Sequence, residues 1–117
     1  MKDFKKLEMW QLGMDVIDMV YDLYDGLPWQ QVAEYKAQSM RAGISIPSNI
    51  AEGSSRRTER EKFRFMEIAL GSAFELETQT LSAQRRPWCP KDKAEQLLQA
   101  LDREQKMLTG FMAVLKP

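Results

Sequence analysis

The sequence predicts an all-α protein, an antiparallel up-down-up-down four-helix bundle formed by residues 1–117 as one domain. Three observations predict it. Apolar residues recur at helical spacing in four long segments, short stretches carrying Gly or Pro separate those segments, and strand alternation does not fit. At 117 residues, 44% hydrophobic and 29% charged, the chain is long enough to bury a core without a metal or disulfide.

The first helix is expected from Phe4 to Tyr24. Leu7, Trp10, Met14, Ile17, Tyr21 and Tyr24 follow alternating spacings of 3 and 4 and make the expected core seam. Met9, Val16, Val20 and Leu23 widen that seam, while Asp15, Asp18, Asp22 and Asp25 fall mostly outside it. Gly26 and then Pro28 supply the stop.

A second helix is expected from about Gln30 to Glu52, with Val32, Tyr35, Met40, Ile44, Ile46 and Ile50 as apolar contacts. Pro47 lies inside it. Its ring removes one backbone hydrogen bond and crowds the carbonyl four residues earlier, so a kink or a break is expected between Gly43 and Pro47. Ser45 and Ser48 are candidates to bond the freed carbonyls, and Gly53 is placed to end the helix.

Thr58 followed by Glu61 reads as a capping box that starts a third helix, expected from Glu59 to about Arg86. Met66, Ala69, Ala73, Leu76 and Ala83 form one seam, and Phe63, Leu70, Phe74 and Leu81 an adjacent one. The small residues Ala69, Gly71, Ser72 and Ala73 would admit a close backbone neighbour. After Arg86-Pro87-Trp88-Cys89-Pro90, Pro90 suits the first position of a fourth helix carrying Ala94, Leu97, Leu98, Leu101, Leu108, Phe111, Met112 and Leu115. Glu104 interrupts that stripe.

Composition excludes a good deal of chemistry. The chain has no histidine, which removes Ser-His and Cys-His catalytic pairs, histidine metal ligands and an imidazole pH switch. A single cysteine, Cys89, forms neither an internal disulfide nor a thiolate-pair zinc site. Nothing calls for a cofactor. Lys2, Lys5 and Lys6 open the chain, but no apolar export core or membrane-spanning run follows, so a cytoplasmic location is expected.

Charges balance at 17 Lys+Arg against 17 Asp+Glu. The balance is a cancellation: residues 1–34 carry 3 positive and 7 negative charges, whereas residues 35–64 carry 7 and 3. Arg56, Arg57, Arg60, Lys62 and Arg64 crowd the turn into the third helix, where guanidinium groups and helix-start amides both suit phosphate. The same segregation suits subunits meeting head to tail, which closes into a ring when the rotation closes.

Arg41, Ser45, Ser48 and Glu52 would form one polar stripe on a continuous helix, with Asn49 beside it, either satisfying one another or binding a ligand. Glu67, Glu75 and Glu77 are carboxylates expected to be solvated or paired rather than catalytic. Trp29 and Trp88, read as lying in connections between helices, are candidate subunit contacts, with base stacking as the sharper alternative.

The stretch Ser45-Ile46-Pro47-Ser48-Asn49-Ile50-Ala51-Glu52-Gly53, followed by Arg57, Phe65, Ile68-Ala69-Leu70-Gly71-Ser72 and Glu75-Leu76-Glu77, resembles a known family. It is the four-helix-bundle family encoded in intervening sequences of bacterial large-subunit ribosomal RNA genes. Lys2-Asp3-Phe4, Leu7 and Trp10-Gln11 are similar to its usual start. The broader family includes the accessory variability determinant of diversity-generating retroelements. The resemblance implies a homopentameric bundle and a nucleic-acid context alongside an enzyme such as a reverse transcriptase. The expected role is thus a non-enzymatic homo-oligomeric scaffold, with an RNA- or DNA-binding accessory protein as the alternative.

Overall fold

A computed structural model describes residues 3–117, so Lys2 of the opening basic run lies outside the described residues. Four helices follow a short 3-10 turn at Phe4–Lys6: α1 (Glu8–Tyr24), α2 (Trp29–Ser54), α3 (Glu59–Gln84) and α4 (Lys91–Val114). No strand occurs among the described residues.

The boundaries follow local chemistry. Leu7 is extended at φ −73° and ψ 128°, which separates the turn from α1, so the helix starts at Glu8 and not at Phe4. Gly26 ends the first helical stretch with φ at 76°, a left-handed value that favours glycine. Trp29 is the first residue of α2 and does not lie in a connection. α2 runs unbroken through Pro47 and also passes Gly53, ending at Ser54. The expected stop at Gly53 fails for a packing reason. A Cβ there would lie 2.8 Å from both Phe65 Cβ and Met66 Cε, so this glycine serves the close approach of α3 rather than a turn.

Thr58 caps α3 as expected, its Oγ1 accepting from the Glu61 amide at 3.1 Å. The other half of the box differs, because Thr58 Oγ1 donates to Glu61 Oε1 at 3.0 Å. α3 stops at Gln84, short of Arg86, and Pro90 caps α4 from just outside it.

Each helix touches two others. α1 meets α2 and α4, α3 meets α2 and α4, and α1 and α3 therefore stand at opposite corners of a body 46 × 20 × 19 Å. Between α2 and α3, contacts pair rising numbers on one helix with falling numbers on the other, Tyr35 with Ser82 and Ser45 with Ser72; Asp22 meets Lys93 between α1 and α4.

The interior holds Val16, Val20, Leu23, Ile46, Ile50, Met66, Leu76, Leu97, Leu101 and Leu108, all fully buried. On α1 the expected seam holds only in part. Tyr24 and the widening residues Met9, Val16, Val20 and Leu23 are buried together with Leu12, and Leu7 and Trp10 pack against them, whereas Met14 and Tyr21 are 41% and 51% exposed. Two adjacent stripes at the same period are equivalent on paper, and the positions of α2 and α4 decide which one is covered.

The glycines make this packing testable. Gly71 is exposed and a Cβ on it would meet nothing within 4 Å, so Gly71→Ala should raise stability by about 0.5–1 kcal/mol in chemical denaturation. Gly53→Ala should lower it by about 1–3 kcal/mol, because Phe65 and Met66 must move.

Candidate functional site

The polar motif of α2 does not act as one stripe. Asn49 Nδ2 donates to the Ser45 carbonyl at 2.8 Å and to Ser45 Oγ at 3.0 Å, and Ser45 Oγ bonds Ser72 Oγ of α3 at 2.8 Å. The outer members turn elsewhere. Arg41 donates to Gln38 at 2.7 Å, Glu52 pairs with Arg56 at 3.5 Å, and Ser48 is exposed. Pro47 and Gly53 are buried packing positions. The Ser45-Asn49-Ser72 network thus uses the motif's polar atoms to tie α2 to α3, together with the Tyr35–Ser82 bond at 2.8 Å.

The basic turn divides in the same way. The Arg56 guanidinium lies 4.9 Å from the Phe65 ring centroid and pairs with Glu52, while Lys62 Nζ donates to the Ser54 carbonyl at 3.1 Å. Arg64 is 3.9 Å from Glu67. Arg57 and Arg60 are exposed and make no ion pair among the described residues. Successive helical residues turn by about 100°, so Arg60 and Arg64, four apart, share an exposed face, while Lys62 points to another side. Of the five cations, two are free.

The third-helix carboxylates are engaged by neighbours. Gln105 donates to Glu77 at 2.9 Å and Gln79 approaches Glu75 at 3.4 Å. No group of three or more Cys, Asp or Glu residues suited to a metal ion occurs among the described residues. The tryptophans part company. Trp29 is 67% exposed, whereas Trp88 is half-buried, with ring centroids 5.4 Å from Tyr35 and 6.1 Å from Tyr24. Trp88 closes one end of the core beside buried Cys89, whose thiol is pushed up by burial despite Lys91 nearby.

The most unusual titratable group is Glu104, which in sequence showed only as a flaw in the α4 stripe. It is fully buried, and neither carboxylate oxygen has a hydrogen-bond partner. A Cβ on Gly13 would come within 3.0 Å of Glu104 Oε2 and 3.3 Å of the Pro47 ring, so α1, α2 and α4 converge on this carboxyl. Burial raises its pKa to about 8, a rise only partly opposed by the charge of Arg103. The group is therefore mostly protonated at neutral pH.

Taken together, the geometry describes an all-α bundle in which Ser45, Pro47, Asn49 and Gly53 of the motif serve helix packing and the two unpaired cations of the basic cluster, Arg57 and Arg60, sit at the α2–α3 turn. The chain belongs to the 23S rRNA-intervening sequence protein family, whose family model matches residues 5–110. No curated protein matches it. No helix among the described residues is long and apolar enough to cross a membrane.

Glu104 makes stability depend on pH with a definite sign. Its ordinary value is 4.5 and its value in the fold about 8. Below pH 4.5 both states hold the proton and there is no penalty; between the two values only the unfolded chain releases it. Stability should therefore fall as pH rises from 4.5 to 8, by up to about 5 kcal/mol from this group, and then level off. Urea denaturation of Glu104→Gln across that range should show this component of the slope removed.

Proposed function

We propose that the protein is a non-enzymatic scaffold that assembles with copies of itself, as a closed ring of five subunits. The observation that carries this reading is a pair of unlike apolar faces at opposite corners of the bundle. On α1, Met14 and Tyr21 are exposed on the side toward α2, where Ile17 lies beside Gly43 and Lys36 lies 5.7 Å from the Tyr21 ring; exposed Ile44 follows on α2. On α3, Phe63, Leu70, Phe74 and Leu81 form a stripe at spacings of 7, 4 and 7, with Phe74 and Leu81 48% and 46% exposed. Large exposed apolar side chains grouped at helical spacing suit a protein partner.

Two different faces make a heterologous contact, and a heterologous contact propagates until it closes. Charge supports the same pairing. The face on α1 is bordered by Asp18, and the opposite corner carries Arg60 on the exposed side of α3 and Arg85 just past its end. The number five comes from the family resemblance. That the chain performs no catalysis is supported by the lack of histidine and by carboxylates that engage neighbouring side chains.

Sedimentation equilibrium tests the assembly: a monomer at high micromolar concentration overturns it. Tyr21→Glu and Phe74→Glu should each disrupt the ring, since every contact uses one face of each kind. Mixing the two variants should then give a one-to-one dimer through the surviving pair of faces.

A second reading, RNA or DNA binding in company with a protein partner, is favoured by the free Arg57 and Arg60. Mobility shifts with structured RNA should weaken as salt rises. Arg57→Ala with Arg60→Ala should lower the salt slope by about two per subunit engaged. Absence of binding at low salt overturns this reading.

A further inference from the structure

We infer that a cavity at the end of the bundle formed by the α2–α3 turn binds an organic anion carrying one anionic head and one apolar body. The cavity is about 650 Å³, within the usual range for small-molecule sites. Four separate parts of the chain line it: Leu7 before α1, Ser54 to Arg57 at the end of α2, Glu59 and Lys62 at the start of α3, and Phe111 and Leu115 at the end of α4.

Its chemistry is two-sided. Leu7, Phe111 and Leu115 supply an apolar wall, which a bare inorganic anion leaves unused. Arg56, Arg57 and Lys62 supply cations, which a plain hydrocarbon leaves unused. Most of these polar groups are already held. Arg56 pairs with Glu52 and stacks on Phe65, Lys62 donates to Ser54, and Glu59, the one carboxylate in the lining, accepts from the Lys116 amide at 3.2 Å. Arg57 alone among the three cations makes no side-chain hydrogen bond or ion pair among the described residues. Its free guanidinium takes the head by charge-assisted hydrogen bonds, and the fixed charges of Arg56 and Lys62 add to the attraction. The site goes beyond the assembly reading, because it lies at the bundle end and uses none of Met14, Tyr21, Phe74 or Leu81.

Adenosine monophosphate and decyl phosphate, the latter below its micelle concentration, represent the two sources of such an anion; inorganic phosphate is the control. Calorimetric titration of the full chain should show at least one organic anion binding about tenfold or more tighter than inorganic phosphate. Which one binds identifies a nucleotide-like or an alkyl ligand. Arg57→Gln should weaken that binding about tenfold, with partial recovery in Arg57→Lys. Leu115→Ser, with helicity checked by circular dichroism, should weaken the organic anion and leave inorganic phosphate unchanged. The inference is overturned if neither organic anion binds at millimolar concentration, if inorganic phosphate binds as tightly, or if Leu115→Ser has no effect. Its failure leaves the assembly reading intact, since the ring is read from sedimentation of different variants.

Discussion

The bundle is organised around a carboxyl group placed where no charge can comfortably sit. Glu104 is buried on α4 and packs on two other helices: on Gly13, where an added Cβ would come within 3.0 Å of its Oε2, and near Pro47, whose ring packs beside Gly13. Each is unfavourable in its own helix. Glycine costs about 1 kcal/mol in a helix interior, and proline removes a hydrogen bond from α2. Their coincidence at one level has a structural meaning, because the small residue and the compact ring let α1, α2 and α4 meet around a carboxyl held largely as its neutral acid. A buried polar group of this kind disfavours alternative alignments more than it adds stability.

α3 is held by different means. Ser72 faces α2, and the side-chain bonds between the two helices are neutral hydroxyl pairs, Ser45 with Ser72 and Tyr35 with Ser82, with Asn49 of α2 donating to Ser45. Such bonds contribute roughly 1 kcal/mol each, but leaving one partner unpaired would cost more, so they act chiefly to fix which residues face each other. Thr80 closes on its own helix, donating to the Leu76 carbonyl at 2.8 Å. One end of the α2–α3 contact is set by sterics at Gly53, where Phe65 Cβ and Met66 Cε lie too near for a Cβ unless they shift.

Much of this fold is legible in the sequence because helix ends are local events. Thr58 with Glu61, Gly26, and the prolines at 28 and 90 place the boundaries to within a few residues, since each acts on backbone groups of its own turn. What is not legible is whatever depends on a neighbour. The α1 seam is displaced in part because Met14 and Leu12, or Tyr21 and Leu23, satisfy the period equally well, and only the placement of α2 and α4 separates them. Gly53 reads as a terminator because the sequence does not show Phe65 and Met66 against it. The cluster Arg56 to Arg64 is compact in sequence, yet Lys62 turns back to Ser54 while Arg57 and Arg60 face solvent. The apolar wall opposite Arg57 comes from residues 7, 111 and 115, too distant along the chain for any motif to connect.

The layout of charge is not explained by folding. The four ion pairs among the described residues join side chains that are 40% exposed or more, where solvent screens the attraction and the net gain is small. Stability would change little if the acidic residues of α1 and the basic residues of the α2–α3 turn were evenly mixed. They are segregated, with 7 acidic residues in the first 34 positions and 7 basic residues in the next 30. In the proposed ring, an arrangement with so little effect inside one subunit acts between subunits. Two apolar faces at opposite corners would define where subunits meet, and opposite charges at their borders would favour unlike faces over like ones. The formal neutrality of the chain is a property of the sum, and in such an assembly recognition would depend on the local fields that the sum conceals.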